Sequence, residues 1–405
     1  MLQKVNGVPD LPRMSDRTMA QVSGSQPSRP NRRRPRWTAL RPTPRFRRQL
    51  IQAGVVAVIA VAVVAGLAFV FGIIILQYAM GGLVVSSIVI VAAIGLTVLY
   101  GIRGFANFAY GDLMTLGAYL ALLLSLNGLS LVWGAIVSFL VLAIVGILLE
   151  VVIFARLEGR GPVPPIVASV GVALIIQNGI RAVAGTTERI YPVPATENVV
   201  IVPGLGIHPI SGILTLVVGI SFVLSAHVLL KYTNLGKAMR ATADNLELAK
   251  ATGIDTKRVT YAAWVVSSSF ASTAGILLGL GTAVKPTMGF DVLLLIFAAV
   301  IVGGIGSPYG AMLGGLMVGL SQEMSVPFLV WLERPDVIGL QFGSAYKVAI
   351  PFIILIIVLI FRPWGIAGRR PAFARRSYFI ERITRTLAGE RGAIDTSPGE
   401  ANGGR

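Results

Sequence analysis

The chain has no cysteine and only two histidines, His208 and His227, among 405 residues. A disulfide and a thiolate metal site are therefore excluded, and an imidazole-rich metal site lacks ligands. Acid is scarce too: 18 Asp and Glu stand against 35 Lys and Arg, and charged residues make up 13% of the chain. Soluble domains average about 25% charged, so a solvated globular surface does not fit this composition. No G-x-x-x-x-G-K-[ST] occurs, which leaves no phosphate-cradling loop with which this chain could hydrolyse ATP. Neither paired carboxylates nor a Ser/His/Asp arrangement is suggested. The sequence reads as a non-enzyme without a cofactor of its own.

What is abundant is apolar side chain. Hydrophobic residues form 55% of the sequence, and the mean hydropathy is +0.77. Ile51 to Tyr78 contains no charge, and neither does Gly81 to Ile102. A helix needs roughly 20 apolar residues to cross a bilayer. Spans are expected near 52–76, 81–102, 105–126, 131–154, 164–183, 211–230, 259–283, 291–305, 309–323 and 344–361. The expected fold is thus all-α and polytopic, with about 10 transmembrane helices.

The basic residues are clustered: twelve Lys and Arg fall in 1–50, six in 231–258 and nine in 362–405. With ten spans, all but five of the 35 bases lie on one side, the exceptions being Arg181, Arg189, Lys285, Arg334 and Lys347. That asymmetry places both termini in the cytoplasm and the chain in the plasma membrane. The clusters suit anionic membrane lipids. Nucleic acid is not expected, because the arms lack interleaved aromatics and a folded reader. Residues 1–50, rich in Arg, Pro and Ser, read as a disordered basic arm. Residues 51–361 form the membrane domain, with a cytoplasmic loop at 231–258, and 362–405 form a basic tail. The arm before the first apolar run is too long for a secretory signal, so that run reads as an uncleaved span.

Three stretches carry polar chemistry inside this apolar chain. The first is "NFAYGDLMTLGAYLA" at 107–121. Wound as one helix, Gly104, Asn107, Gly111, Thr115 and Ala118 share a face. Helix packing accounts for the small residues, whereas the amide of Asn107 and the carboxylate of Asp112 suit a solute pathway. The second is "SVGVALIIQNGIR" at 169–181. Ser169, Ala173, Gln177 and Arg181 recur every four residues, and Gln177 and Asn178 lie nearest mid-span. Interhelical hydrogen bonding and pathway lining fit them equally.

The third is the loop "KYTNLGKAMRATADNLELAKATGIDTKRV". Asp244 followed by Glu247 forms a capping-box pattern, and Gly253 supplies a left-handed stop. A helix from Asn245 to Thr252 is expected, with Asp255 capping the next span. Leu246, Ala249 and Gly253 would face a partner. Segments 291–305 and 309–323, joined by "GGIGSPYG", are too short to cross a ~30 Å core comfortably and read as possible half-helices of a transport pathway. Three G-x-x-x-G pairs, Gly275–Gly279, Gly310–Gly314 and Gly315–Gly319, predict close helix packing. "YGDLMTLGA" at 110–118 and "YGAMLGGL" at 309–316 form a faint repeat.

At these residues the chain resembles the LivH-type permease subunits of ABC importers for branched-chain amino acids. The resemblance runs from about Gly81 to Gly368. It rests on "LYGIRGFANFAYGDLMTLGAYLA", "ASVGVALIIQNGIR", "LGKAMRATADNLELAKATGIDTKRV", "GGIGSPYGAMLGGLMVGLSQE" and "RPWGIAG", in that order. By the resemblance Asn107, Phe108 and Gly111 correspond to the family's first tract and Gln177 and Asn178 to its second; with Tyr110 and Asp112 beside them they form the expected substrate pathway. Ala249 and Gly253 correspond to the loop positions that dock the ATPase in the family; with Asn245, Leu246 and Glu247 of the same helix they form the expected ATPase-docking segment. The implied partners are a second permease subunit, two ABC ATPase subunits that bind ATP and Mg, and an extracytoplasmic substrate-binding protein. The sequence departs from the family at Tyr110, where His is frequent, and at Asp112, where Glu is frequent. The basic arm and the span at 52–76 are additions. Two rival readings remain open at this point: a urea or short-amide permease, and a stand-alone channel or secondary transporter.

Overall fold

The computed structural model describes residues 74–194, 199–202, 205–333 and 343–368. The basic arm at 1–50, the leading span up to residue 73 and the tail beyond 368 lie outside the described residues. In lipid, every backbone N–H and C=O must find a partner within the protein, and long apolar runs do so as helices. The helices are α1 (Ile74–Arg103), α2 (Tyr110–Leu126), α3 (Leu131–Val152), α4 (Val163–Ala184), α5 (Thr215–Tyr232) and α6 (Asn234–Asp244). They continue as α7 (Leu246–Ala251), α8 (Thr256–Gly281), α9 (Met288–Gly303), α10 (Pro308–Met324), α11 (Val326–Leu332) and α12 (Ala349–Phe361). A short antiparallel hairpin, β1 (Val199–Val202) with β2 (Leu205–Ile207), precedes α5.

Among the described residues, seven segments are long and apolar enough to cross a membrane: 74–103, 131–157, 163–184, 209–232, 256–281, 308–332 and 344–361. α2 and α9 are shorter apolar helices. The protein is therefore an all-α polytopic membrane protein. α1 and α8 form its centre. α1 packs on α5, α8 and α10, while α8 also packs on α2 and α3. The periphery turns large apolar side chains outward, among them Leu140 and Leu148 of α3, Ile175 of α4 and Ile360 of α12. That outward greasiness is what a lipid-facing surface requires.

Each of the three glycine pairs places a glycine at a close helix crossing. A Cβ on Gly275 would run into the backbone of Met114, one on Gly314 into Ala299, and one on Gly319 into Ser86. They join α8 to α2, α10 to α9 and α10 to α1 respectively, where backbone-to-backbone contact replaces side-chain interdigitation.

Four expectations need correction. α1 runs unbroken through residues 77–80, so the boundary drawn there between two spans falls inside one helix about 45 Å long at 1.5 Å per residue. The opening stretch is not one helix. Gly104, at φ +71°, ends α1, and α2 begins only at Tyr110, so Gly104 and Asn107 do not extend the Gly111 face. Residues 309–323 are not a half-helix: α10 passes through Ser325 into α11, where Pro327 sits in the first turn and costs no hydrogen bond. Finally, the 231–258 loop holds two helices, not one. α6 is an amphipathic addition, capped by Thr233, whose hydroxyl accepts from Gly236 N at 2.9 Å.

Candidate functional site

The segment between α1 and α2 is held by specific polar contacts. Asn107 is buried, and its Oδ1 accepts from Ala109 N at 3.1 Å, bracing the first turn of α2. Its Nδ2 has no partner among the described residues. Phe108 N donates to Ser169 Oγ of α4 at 3.0 Å, and the Phe108 ring lies 5.2 Å from that of Phe297 on α9. Three helices thus converge on residues 107–108.

Tyr110 and Gly111 follow at the start of α2. Tyr110 is fully buried, with its hydroxyl against Gly95 of α1. Gly111 meets Gly289 of α9 backbone to backbone, and Thr115 Oγ1 accepts from Gly289 N at 3.0 Å. Both residues therefore act in packing in this conformation. Asp112 differs. It is 1% exposed, and neither carboxylate oxygen has a hydrogen-bond partner among the described residues. On α4, Gln177 is half-buried and Asn178 exposed. Asn178 Nδ2 donates to Leu174 O at 2.8 Å, while its Oδ1 accepts from Arg181 at 3.3 Å.

The expected docking segment is α7. Its N-cap is Asn245, whose Oδ1 accepts from Leu248 N at 3.0 Å, so the cap lies one residue later than the Asp244 pattern implies. Its C-terminus closes as a Schellman motif: Ile254 N donates to Ala249 O at 3.1 Å and Gly253 N to Lys250 O at 3.1 Å, with Gly253 at φ +83°. Asp255 caps α8 by accepting from Arg258 N at 3.1 Å. The outward face is not the expected one. Ala249 is buried and Leu246 half-buried, because these apolar residues, three apart, turn together onto the protein. Gly253 is exposed as expected, and Glu247, Leu248 and Lys250 take the outward positions in place of Leu246 and Ala249.

Leu246 reaches a cleft of about 380 Å³ whose other walls include Arg103, Gly104, Phe105, Glu158 and Pro162. α7 and the start of the α1–α2 connection therefore border one cavity. Arg103 there bonds two carboxylates, Glu150 at 2.7 Å and Glu158 at 3.0 Å, and its side chain and that of Glu150 are 8% and 3% exposed. Sequence reasoning took Arg103 only as a topology charge and missed Glu150. The signal was present: Glu150 is the single charge in the apolar run of α3. Among the described residues no group of three or more His, Asp or Glu could hold a metal ion.

Residues 78–359 match the family described as branched-chain amino acid transport system / permease component. The chain belongs to that family. It is 32% identical over 311 residues to the high-affinity branched-chain amino acid transport system permease protein BraD of Pseudomonas aeruginosa, a match covering 73% of this chain and 96% of that one. LivH of Escherichia coli K12, likewise a high-affinity branched-chain amino acid permease protein, is 30% identical over 309 residues, with the same coverage of 73% and 96%. A probable LivH of Methanocaldococcus jannaschii is 31% identical over 296 residues, covering 71% and 91%. The matched region of this permease-family chain contains α2, α4, α7 and the cleft beside Leu246, whereas residues 1–50 precede it.

Proposed function

We propose that this chain is the permease subunit of an ATP-driven importer for branched-chain amino acids, working by alternating access. A second permease subunit, two ATPase subunits and an extracytoplasmic binding protein would complete the machine. The end of the bundle carrying Arg103, α6 and α7 faces the cytoplasm in this reading, in keeping with the asymmetry of basic residues. The ATPase docks on Glu247, Leu248 and Lys250 around the Gly253 stop.

The observation that carries the reading is the shared cleft. Leu246 of α7 lies across from Arg103 and Gly104, three residues before Asn107. A push on α7 therefore reaches the α1–α2 connection directly, and from there α2 and, through Ser169, α4. Gly104 is the natural pivot, because its positive φ already lies where glycine moves at least cost. ATP binding in the partners favours one facing state through contacts made only in that state.

Gly253→Arg tests the docking assignment. The substituted residue must adopt φ +83° at a site open to solvent, so it disturbs the cap and the docking face while leaving the core alone. The expected outcome is an inserted chain that loses ATP-driven uptake. Normal uptake by this variant removes α7 from the mechanism.

A further inference from the structure

Arg103 closes α1 and grips two carboxylates of very different standing. Its guanidinium bonds Glu150 of α3 at 2.7 Å and, at 3.0 Å, Glu158, which follows the single turn Phe154–Leu157. The Glu150 side chain is 3% exposed and the Glu158 side chain 52% exposed. The inner bond is hard to break, because opening it strands a buried charge. The outer bond lies half in solvent and favours its closed form by only about fivefold. Arg103 can therefore release Glu158 while Glu150 keeps it paired.

Both partners of the outer bond line the cleft that Leu246 borders. The inner wall of that cleft is fixed. The rings of Phe105 and Phe154 stack at 5.2 Å, Phe154 lies 4.9 Å from Trp264 of α8, and all three side chains are buried. The outer wall is the loop from Glu158 to Gly161, which is exposed throughout. Gly159 and Gly161 stand at φ +81° and +85°, and a Cβ on either would meet nothing within 4 Å. Two glycines with open space around them leave this backbone free to turn. Among the described residues, the loop's side-chain bond to the helices runs from Glu158 to Arg103. We propose that residues 158–161 form a lid on the cleft and that Glu158 is a positioning residue for coupling: its bond to Arg103 latches the lid, and the latch opens when α7 is driven against the cleft. This rests on the importer reading for what drives α7, and it adds the residue that holds the cleft at rest. A bond made only in the resting state disfavours the ATP-closed state by the same factor. The latch thus restrains idle ATP hydrolysis, and because Glu150 stays on Arg103 it cycles without leaving a buried charge unpaired.

The chain has no cysteine, so a single Leu157→Cys beside Glu158 reports on the lid. Leu157 is a half-buried wall of the cleft, and Ile102→Cys on another wall gives a second reporter. The complete complex is purified with its ATPase, and modification of this chain by a water-soluble thiol reagent is followed by mass spectrometry. Glu158→Gln and Glu150→Gln are compared with the parent in each reporter background, for labelling rate and for thermal midpoint. Glu158→Gln is expected to label about fivefold faster, as for loss of a half-exposed ion pair, at a midpoint close to the parent's. Glu150→Gln is expected to lower the midpoint clearly. Without binding protein, the Glu158→Gln complex is expected to hydrolyse ATP about fivefold faster than the parent. Unchanged labelling, a midpoint lowered as far as by Glu150→Gln, or unchanged ATP hydrolysis overturns the proposal. A wild-type chain that purifies without an ATPase contradicts the importer reading instead, and labelling and melting of the chain alone then still decide whether the latch exists.

Discussion

At the scale of single residues, the bundle is set by a few contacts for which no other side chain serves. Gly289 is one: a Cβ there would strike the carbonyl of Gly111, and its N–H already donates to Thr115. Gly289→Val is expected to destabilise by about 1–3 kcal/mol, the usual cost of overpacking. A lower midpoint in a thermal melt in detergent measures it, and an unchanged midpoint shows that α2 and α9 do not need this approach. Arg103 is another. Its loss strands the Glu150 carboxylate, so Arg103→Gln should cost about 3–5 kcal/mol, whereas Arg103→Met/Glu150→Met should lie much nearer wild type. The same melt decides, and equal losses in the two variants refute a buried-charge explanation. Asn107 acts locally through its cap on Ala109. Asn107→Leu is expected to reduce uptake about tenfold, near 1.4 kcal/mol of lost stabilisation, without loss of the ATPase. Unchanged uptake kinetics leave Asn107 a packing residue.

At the scale of elements, the long helices were legible because one strong signal, an apolar run of bilayer length, decides them. The short polar devices were not. Asn245 displaces Asp244 as the α7 cap because both are good capping residues and only the angle at which the chain leaves α6 chooses between them. Ala249 turned out buried because a helix of fewer than two turns puts its few apolar residues on one side, and only the fold says which side that is. α2 starts late because Gly104 and the Asn107 side chain terminate one helix and brace the next, competing with the helix that periodicity alone extends through them. The faint repeat acquires a physical counterpart. Gly111 in the first turn of α2 meets Gly289 at one end of α9, and Gly310 in the first turn of α10 meets Gly303 at the other. Two Tyr-Gly helix starts thus clamp the same short helix, which explains why α9 can be short and still be fixed.

At the scale of the whole molecule, α1 and α8 form a packed centre, and α3, α4, α5 and α12 offer apolar surface. α7 and the α1–α2 connection border one cleft, through Leu246 on one side and Arg103 to Phe105 on the other. Asn107, Asp112, Gln177 and Asn178 stand out in the sequence as polar exceptions in an apolar chain. The buried pairing of Arg103 with Glu150 does not, because nothing in sequence spacing says which distant helices pack together. The account stands or falls on whether this chain moves a solute only with an ATPase attached. The decisive measurement is purification of the native complex in mild detergent, followed by uptake of labelled leucine into proteoliposomes, for wild type and Gly253→Arg. The account predicts that wild type brings an ATPase and takes up leucine only with ATP and binding protein, and that the variant loses uptake and retains little ATPase. Purification of the chain alone, with solute flux that does not depend on ATP, would contradict it.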